Sequence, residues 1–160
     1  MIGISACLGG LFCRHDGNTQ ELTDLRPLIE VGQVHLICPE VLGGLPTPRK
    51  PAEIIGGDGF DVWQGQAQVV NTAGVDVTEA YKNGARKAYQ QLQAQGIQQV
   101  ILKERSPSCG SQLIYDGSFS GTRVSGVGVA TAYFLKRGIT VYTEDNYHEL
   151  LDGLAVTYQD

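Results

Sequence analysis

Short β-prone runs alternate with helical segments along most of the chain, and this order limits the possible folds more than any other feature. The runs IGIS, VHLI, QVILKE and ITVYTE are separated by stretches in which apolar residues recur at helical spacing. Such an order is typical of an α/β fold with a mainly parallel sheet and helices on both faces, as in Rossmann-like domains. With 160 residues, the sequence predicts a single domain that spans residues 1–160.

One segment departs from the alternation. Residues 52–72 hold two short β-prone runs, AEIIGG and QAQVVN, around the turn sequence GDG, which predicts an irregular β-hairpin. The strongest helical pattern follows, with Asp76 and Glu79 interpreted as a capping box and Gly96 as the terminator. A further helix is predicted at residues 126–137.

Charge and the N-terminal sequence limit the functional class. The chain carries a formal net charge of -5, whereas proteins that bind nucleic acid polymers or membrane surfaces are usually basic. No stretch has the apolar length of a membrane-spanning helix, and MIGISACLGG lacks the basic start and the apolar region of a signal peptide. The sequence therefore predicts a cytoplasmic protein without a DNA, RNA or membrane partner, in which thiols stay reduced.

Three of the four cysteines follow the ends of predicted strands. Cys7, Cys38 and Cys109 come after the first, second and third strands, and each has a Gly or Pro within three residues. Because the carboxyl ends of parallel strands share one edge of the sheet, these thiols are expected to meet in one crevice. A single cysteine is ordinarily a small buried apolar side chain, but three at the same edge favour a site. Cys13 lies further into the first loop, as a fourth ligand, a neighbour of the ligands or a bystander.

Thiolates at this edge point to a soft metal centre. Three of them suit zinc or an iron–sulfur cluster. A closed structural zinc site usually has four ligands, often in CxxC pairs, and the chain has no CxxC. Three ligands from three loops would leave one metal position open, which indicates chemistry on a substrate.

Polar residues near the cysteines are candidates for that chemistry. Glu40 follows Cys38 by two residues, and it is either a general acid or base or a solvated loop carboxylate. Ser106 and Ser108 flank Cys109, where serine also serves to form turns. Basic residues in the crevice loops are either an anion pocket for a substrate phosphate or ordinary surface charge: Arg14, Arg49, Lys50 and Arg105.

Four stretches resemble a known family, the thiouracil desulfidases of the TudS type, long described as a domain of unknown function. They are SACLGG with CRHDG, CPEVLGGLPTPR, EIIGGDGFDV and KERSPSCGSQLIYDGSFSG, within a similarity that runs from Ile4 to about Glu144. The resemblance implies a [4Fe-4S] cluster held by Cys7, Cys38 and Cys109, with the fourth iron free. It departs from the family pattern at Gly9, where leucine is usual, and at His15, where an aromatic residue is usual.

The resemblance also implies an activity, the non-redox removal of sulfur from a thiolated pyrimidine to give uracil and sulfide. The free iron would bind the thiocarbonyl sulfur as a Lewis acid. Glu40 would activate the attacking water or relay protons, and Ser106 would orient substrate or water. For a thiouracil base or a thiouridine nucleotide, the predicted binding residues are Arg49, Arg105 and Ser108.

Two other functions are compatible with the same residues. The first is a non-catalytic zinc or cluster module that binds a nucleotide or a protein. The second is an enzyme with Cys38 or Cys109 as nucleophile and Glu40 as base. Against the second, the sequence shows no persuasive cysteine–histidine pair.

Overall fold

The computed structural model describes the backbone of residues 1–159 and the side chains of residues 1–153, and it contains eight strands and six α-helices in that range. The strands are β1 (Ile2–Ser5), β2 (Val34–Ile37), β3 (Ala52–Ile55), β4 (Gln68–Asn71), β5 (Gln99–Leu102), β6 (Leu113–Tyr115), β7 (Arg123–Ser125) and β8 (Thr140–Thr143). The helices are α1 (Arg26–Glu30), α2 (Pro39–Leu42), α3 (Gly59–Trp63), α4 (Thr78–Ala94), α5 (Val129–Lys136) and α6 (His148–Gln159).

Four of the strands form a parallel sheet in the order β2-β1-β5-β8. Alternate residues of β5 point to opposite faces, because side chains alternate along a strand. Val100 and Leu102 pack in one core cluster with residues of α4 and α5, and Ile101 packs in the other with Leu25 and Leu150. The predicted α/β architecture, with apolar cores on both faces of a parallel sheet, is confirmed.

The predicted hairpin is present, but it contains a helix that the sequence analysis missed. β3 and β4 pair antiparallel, with Ala52 opposite Asn71. Between them α3 begins at a reciprocal capping box, because the Asp58 carboxylate accepts from the N–H of Asp61 and the Asp61 carboxylate accepts from the N–H of Asp58. The GDG sequence predicts only a turn, whereas in the structure its aspartate, Asp58, is the N-cap of this helix.

The capping box predicted for α4 is wrong. Val77 is the N-cap residue and makes no side-chain capping bond. The Asp76 carboxylate instead accepts from the N–H of Thr78 at 2.8 Å, a local turn that leaves Glu79 out of the cap. The end of the helix agrees with the prediction, because Gly96 adopts a left-handed φ of 66° just beyond it.

The segment around β6 also differs from the prediction. β6 pairs antiparallel with the exposed strand β7 in a second hairpin that the sequence analysis did not identify. The following helix, predicted at 126–137, begins only at Val129. Its first N–H groups, those of Val129 and Ala130, donate to the carbonyl oxygens of Pro107 and Ser108 at 2.8 Å each. The loop after β5 therefore caps α5, which fixes the two segments relative to each other.

None of the helices within residues 1–159 combines the length and the apolar character needed to cross a bilayer.

Candidate active site

A cavity of about 330 Å³ lies at the carboxyl edge of the parallel sheet. Its walls come from the loops after β1, β2 and β5, together with β3 and one side chain from α4. All four cysteines line it: Cys7, Cys13, Cys38 and Cys109. The structure thus brings together thiols that are separated by up to 102 positions in the sequence, as the positions of the strand ends led us to expect.

The four thiols are free and differ in their exposure. Cys7 and Cys109 are buried, and Cys13 and Cys38 are partly exposed. The Cys13 thiol interacts with the thiols of Cys38 and Cys7 closely enough to change its pKa. The interaction with Cys38 acts to lower the pKa of Cys13, but the interaction with Cys7 and burial outweigh it and raise this pKa to about 11. The interaction with Cys13, followed by burial, raises the pKa of Cys38 well above its ordinary value.

The first cysteine loop is held by backbone contacts around Cys7. The N–H of Ala6 donates to the carbonyl oxygen of Ile37 at 2.7 Å, which continues the pairing of β1 with β2 past the strand end. The Cys7 carbonyl oxygen accepts from the Thr19 hydroxyl at 2.8 Å and from the N–H of Gln20 at 3.1 Å. The returning part of the loop therefore closes over Cys7 and fixes its position.

The start of α2 fixes the position of Cys38. It is the N-cap residue of that helix, and its carbonyl oxygen accepts from the N–H of Leu42 at 2.9 Å. Pro39 occupies the first helical turn, where a missing N–H costs nothing. The short turn of helix places Glu40 in the cavity wall beside Cys38.

A buried carboxylate organises the loop that carries Cys109. Glu104 is 3% exposed, and its Oε1 accepts from the N–H groups of Arg105, Ser111, Gln112 and Leu113 at 2.9–3.2 Å. Burial acts to raise the pKa of Glu104, but the backbone N–H donors together lower it. Sequence reasoning missed this role, although a carboxylate at a strand end just before a glycine- and serine-rich loop is a signal for it.

Ser106 shapes the turn at Cys109 and also touches Glu40. Its Oγ accepts from the N–H groups of Ser108 at 3.0 Å and Cys109 at 3.2 Å. The same hydroxyl donates to Oε2 of Glu40 at 3.4 Å. Ser106 lines the cavity, so the turn-forming role and the predicted site role belong to one side chain.

Ser108 lies behind the cavity wall. It is fully buried, it is not among the cavity-lining residues, and its Oγ is the buried side-chain atom without a hydrogen-bond partner among the described residues. Burial, followed by repulsion from Glu40 and Cys38, raises the pKa of the Cys109 thiol. The Ser108 hydroxyl acts in the opposite direction on this pKa, because it lies where it can donate to a Cys109 thiolate. The structure therefore places Ser108 against a thiol, away from the space open to a substrate.

Glu40 is held by residues from three parts of the chain. Its Oε1 accepts from Nε of Arg49 at 3.1 Å and from the Tyr81 hydroxyl at 2.8 Å. Its Oε2 has the single longer contact with Ser106. Tyr81 was not identified from the sequence, because nothing in the pattern of α4 distinguishes it from an ordinary buried aromatic residue.

Arg49 has few donors left for a ligand. Besides Glu40, it donates to the carbonyl oxygens of Pro46 at 3.1 Å and Cys13 at 3.0 Å and to the Thr47 hydroxyl at 3.1 Å. A guanidinium has five N–H groups, so these four hydrogen bonds occupy most of them. The side chain is only 6% exposed. Arg49 therefore ties the loops of Cys13 and Cys38 together, a role that the sequence analysis did not foresee.

Other basic residues remain nearer to the open space. Arg105 lines the cavity at a left-handed φ of 67°, and its ion pair with Asp145 is loose, with 3.7 Å between Nη1 and Oδ2. Arg14 and His15 line the cavity as well, whereas Lys50 is exposed and does not. Of the two arginines predicted to bind substrate, Arg105 has more side-chain donors left without a protein acceptor among residues 1–153.

The donor set has the chemistry of an iron–sulfur site, because thiolates are the ligands that such clusters prefer. Within the described residues, no group of three or more His, Cys, Asp or Glu side chains is arranged to hold a single metal ion. A [4Fe-4S] cluster makes a different demand, because each cysteine binds its own iron and the sulfurs stand around a larger body. Cys7, Cys38 and Cys109 approach the cavity from three loops, and the unpartnered Ser108 hydroxyl can donate to one of the sulfurs.

Comparisons with known proteins give a consistent result. The family model described as 2-thiouracil desulfurase matches residues 2–146. The uncharacterized protein YbbK of Bacillus subtilis (strain 168) is 45% identical over 151 residues, which cover 94% of this chain and 100% of that protein. A solved structure, the [4Fe-4S]-dependent thiouracil desulfidase TudS (DUF523Vcz), has a TM-score of 0.85 and 42% identity, with 97% of each chain covered.

Proposed function

The chain belongs to the 2-thiouracil desulfurase family, and from this premise we propose that it hydrolyses the carbon–sulfur double bond of a thiolated pyrimidine with the help of a [4Fe-4S] cluster. The substrate is a thiouracil base or a thiouridine nucleotide, and the products are the corresponding uracil and sulfide. The observation in this chain that supports the proposal most directly is the composition of the cavity. Thiols from three loops that follow strands line it, together with the carboxylate of Glu40.

The cluster ligands in this proposal are Cys7, Cys38 and Cys109. Each follows a strand of the parallel sheet, and each lines the cavity. When bound, the cluster supplies an open iron that binds the thiocarbonyl sulfur as a Lewis acid. Cys13 lines the same cavity, and its pKa responds to two of the three proposed ligands, which supports a place beside the cluster without requiring a bond to iron.

Glu40 serves as the proton acceptor for the attacking water. Its Oε1 is already bound to Arg49 and Tyr81, whereas Oε2 has acceptor capacity to spare. A water that donates to Oε2 passes one proton to Glu40 as its oxygen bonds to the ring carbon, and the π electron pair of the carbon–sulfur bond moves to sulfur. The remaining carbon–sulfur bond then breaks as the new hydroxyl loses the second proton and becomes a carbonyl. The sulfur takes up the two protons and leaves as hydrogen sulfide, so one water is consumed and no oxidation or reduction occurs. Ser106, which contacts Oε2, keeps the carboxylate and the Cys109 turn together.

Anaerobic purification followed by analysis of iron, zinc and acid-labile sulfide tests this function. The expected result is a brown protein with about four irons and four sulfides per chain that releases sulfide from thiouracil. A colourless protein with one zinc and no turnover would favour the non-catalytic module. A metal-free protein with one rapidly alkylated thiol would favour the cysteine-nucleophile enzyme.

Single replacements test the ligand set. We expect Cys7→Ala, Cys38→Ala and Cys109→Ala each to lose stable cluster binding, and Cys13→Ala to retain more iron than any of them. The measurement is iron and sulfide content together with the visible absorption of the cluster. A cluster-free Cys13→Ala protein, beside a fully loaded variant of one of the other three, would show that the assignment is wrong.

A further inference from the structure

The orientation of Glu40 depends on a residue 41 positions away in the sequence. The Tyr81 hydroxyl, on α4, donates to Oε1 of Glu40 at 2.8 Å. Tyr81 is 2% exposed, so it is largely shielded from bulk water although it lines the cavity. A buried tyrosine hydroxyl ordinarily finds a hydrogen-bond partner, and here the partner is the carboxylate of the cavity.

Close contact between two helices makes this hydrogen bond possible. A side chain at Gly43, just beyond α2, would overlap the carbonyl oxygen of Ala80, and a side chain at Gly84 would overlap the carbonyl oxygen of Pro39. These two glycines let the backbones of α2 and α4 touch. One turn of α2 therefore lies directly against the turn of α4 that carries Tyr81.

The two oxygens of Glu40 have different surroundings. Oε1 accepts from Tyr81 and Arg49, both of which are nearly buried, and Oε2 has only the 3.4 Å contact with Ser106. Two donors on one oxygen fix the plane of the carboxylate, and the other oxygen stays available to a water in the cavity. We propose that Tyr81 is a positioning residue that acts through Glu40, an inference that rests on the proposed desulfuration.

Tyr81 offers a cleaner test than Arg49. Arg49 also binds the carbonyl oxygens of Pro46 and Cys13, so its replacement would loosen two loops at once. Tyr81→Phe removes one hydroxyl and keeps the ring that packs in the core. The matched control is Tyr89→Phe on the same helix, since the Tyr89 ring packs on Tyr133 and does not line the cavity.

The kinetic experiment compares these variants as cluster-loaded enzymes with thiouracil as substrate. For Tyr81→Phe we expect unchanged iron and sulfide content, a nearly unchanged KM and a kcat that is lower by roughly tenfold, because a hydrogen bond to a charged group is lost. Adding Tyr81→Phe to Glu40→Gln should lower kcat no further, since the two residues act as one unit. Tyr89→Phe should leave every value at the wild-type level.

A crystal structure of the loaded Tyr81→Phe enzyme supplies a readout that does not depend on turnover. We expect the Glu40 carboxylate to occupy more than one orientation in the variant and a single orientation in wild type. An unchanged kcat, additive losses in the double variant, or a raised KM with unchanged kcat would each overturn the positioning role. If loaded wild type releases no sulfide at all, the proposed function is wrong. The inference about Tyr81 is tested independently of turnover, because a single Glu40 orientation in the Tyr81→Phe crystal structure would overturn it.

Discussion

At the scale of single residues, Glu40 separates catalysis from cluster binding. Its neighbour Cys38 is a proposed ligand, whereas the Glu40 carboxylate is held by donors from Arg49, Tyr81 and Ser106. Glu40→Gln keeps the shape of the side chain and an oxygen for Tyr81 and Arg49, but it removes the base. We expect the variant to retain its cluster and bind thiouracil, and to release sulfide about 10²–10⁴-fold more slowly.

Two results would contradict this role for Glu40. Loss of the cluster in Glu40→Gln would make the residue structural or a ligand. Full turnover with an intact cluster would mean that another group activates the water, with Ser106 as the next candidate because it contacts Oε2 from the same cavity wall. Iron content and the rate of sulfide release, measured on the same preparation, separate these cases.

Arg105 and Arg49 should respond differently to the presence of a substrate phosphate. Arg105 lines the cavity and has a loose ion pair with Asp145. Arg49 instead donates four hydrogen bonds to protein acceptors. We expect Arg105→Ala to raise KM for a thiouridine nucleotide more than for the free thiobase. Arg49→Ala should impair both substrates alike, because it releases Glu40 and the Cys13 loop. Equal effects of Arg105→Ala on the two substrates would exclude a phosphate role.

Which site residues could be predicted from the sequence depends on how near each one lies, along the chain, to the end of a predicted strand. Cys7, Cys38 and Cys109 could be placed at one cavity because each lies in the loop that follows a strand, and Glu40 could be placed because it is two residues from Cys38. Tyr81 could not, because its approach depends on a helix contact that no local pattern encodes. The hydrogen bonds of Arg49 could not be predicted for the same reason, because the positions of its acceptors depend on how the loops fold.

At the scale of secondary-structure elements, the strands were easier to predict than the starts of the helices. The four strands of the parallel sheet are short β-prone runs, and the hairpin at 52–72 follows from such runs on either side of a turn, whereas the exposed strand β7 was not predicted. Helix starts depend on which side chain accepts which N–H. At α4 the Asp76 carboxylate accepts from the N–H of Thr78 instead of forming the predicted box with Glu79, and at α5 the first N–H groups are bound by the Cys109 loop.

The loop between β5 and β6 depends on Glu104 as an element-scale anchor. Glu104→Gln weakens four hydrogen bonds from backbone N–H groups to a buried carboxylate. We expect the free energy of unfolding to fall by about 1–3 kcal/mol and cluster content to drop, since Cys109 lies in this loop. Urea denaturation of cluster-free protein and iron analysis of loaded protein are the two measurements.

The contribution of Glu104 should also depend on pH. Its pKa is lowered in the folded protein, so its stabilising effect is fully present above the unfolded pKa of about 4.3 and is lost as pH falls through the lower folded value. The difference in free energy of unfolding between wild type and Glu104→Gln should therefore shrink on acidification below that pKa. A difference that stays constant from neutral to acid pH would show that Glu104 does not titrate with folding.

At the scale of the whole molecule, the site joins parts of the chain that are far apart in the sequence. Loops after β1, β2 and β5 each contribute one proposed ligand, and Arg49 and Glu104 hold two of these loops from within. The apolar cores on the two faces of the sheet extend to the cavity, because one of them includes Cys7 and the other includes Ile37, Tyr81 and Cys109, all of which line it. A cluster bound at the edge would cross-link the three loops.

That cross-link predicts a stability difference between loaded and cluster-free protein. A group that binds only the folded chain adds about 2.7 kcal/mol when it is present at a hundred times its dissociation constant, which corresponds to roughly 5–10 °C in Tm for a domain of this size. Anaerobic calorimetry of loaded wild type should show an increase of at least this size over the chelated protein. Cys38→Ala should unfold at the temperature of the cluster-free chain, and Cys13→Ala should keep most of the gap. A loaded protein with the Tm of the chelated one would mean that the cluster does not bind the folded chain in preference to the unfolded chain, and it would contradict the cross-link.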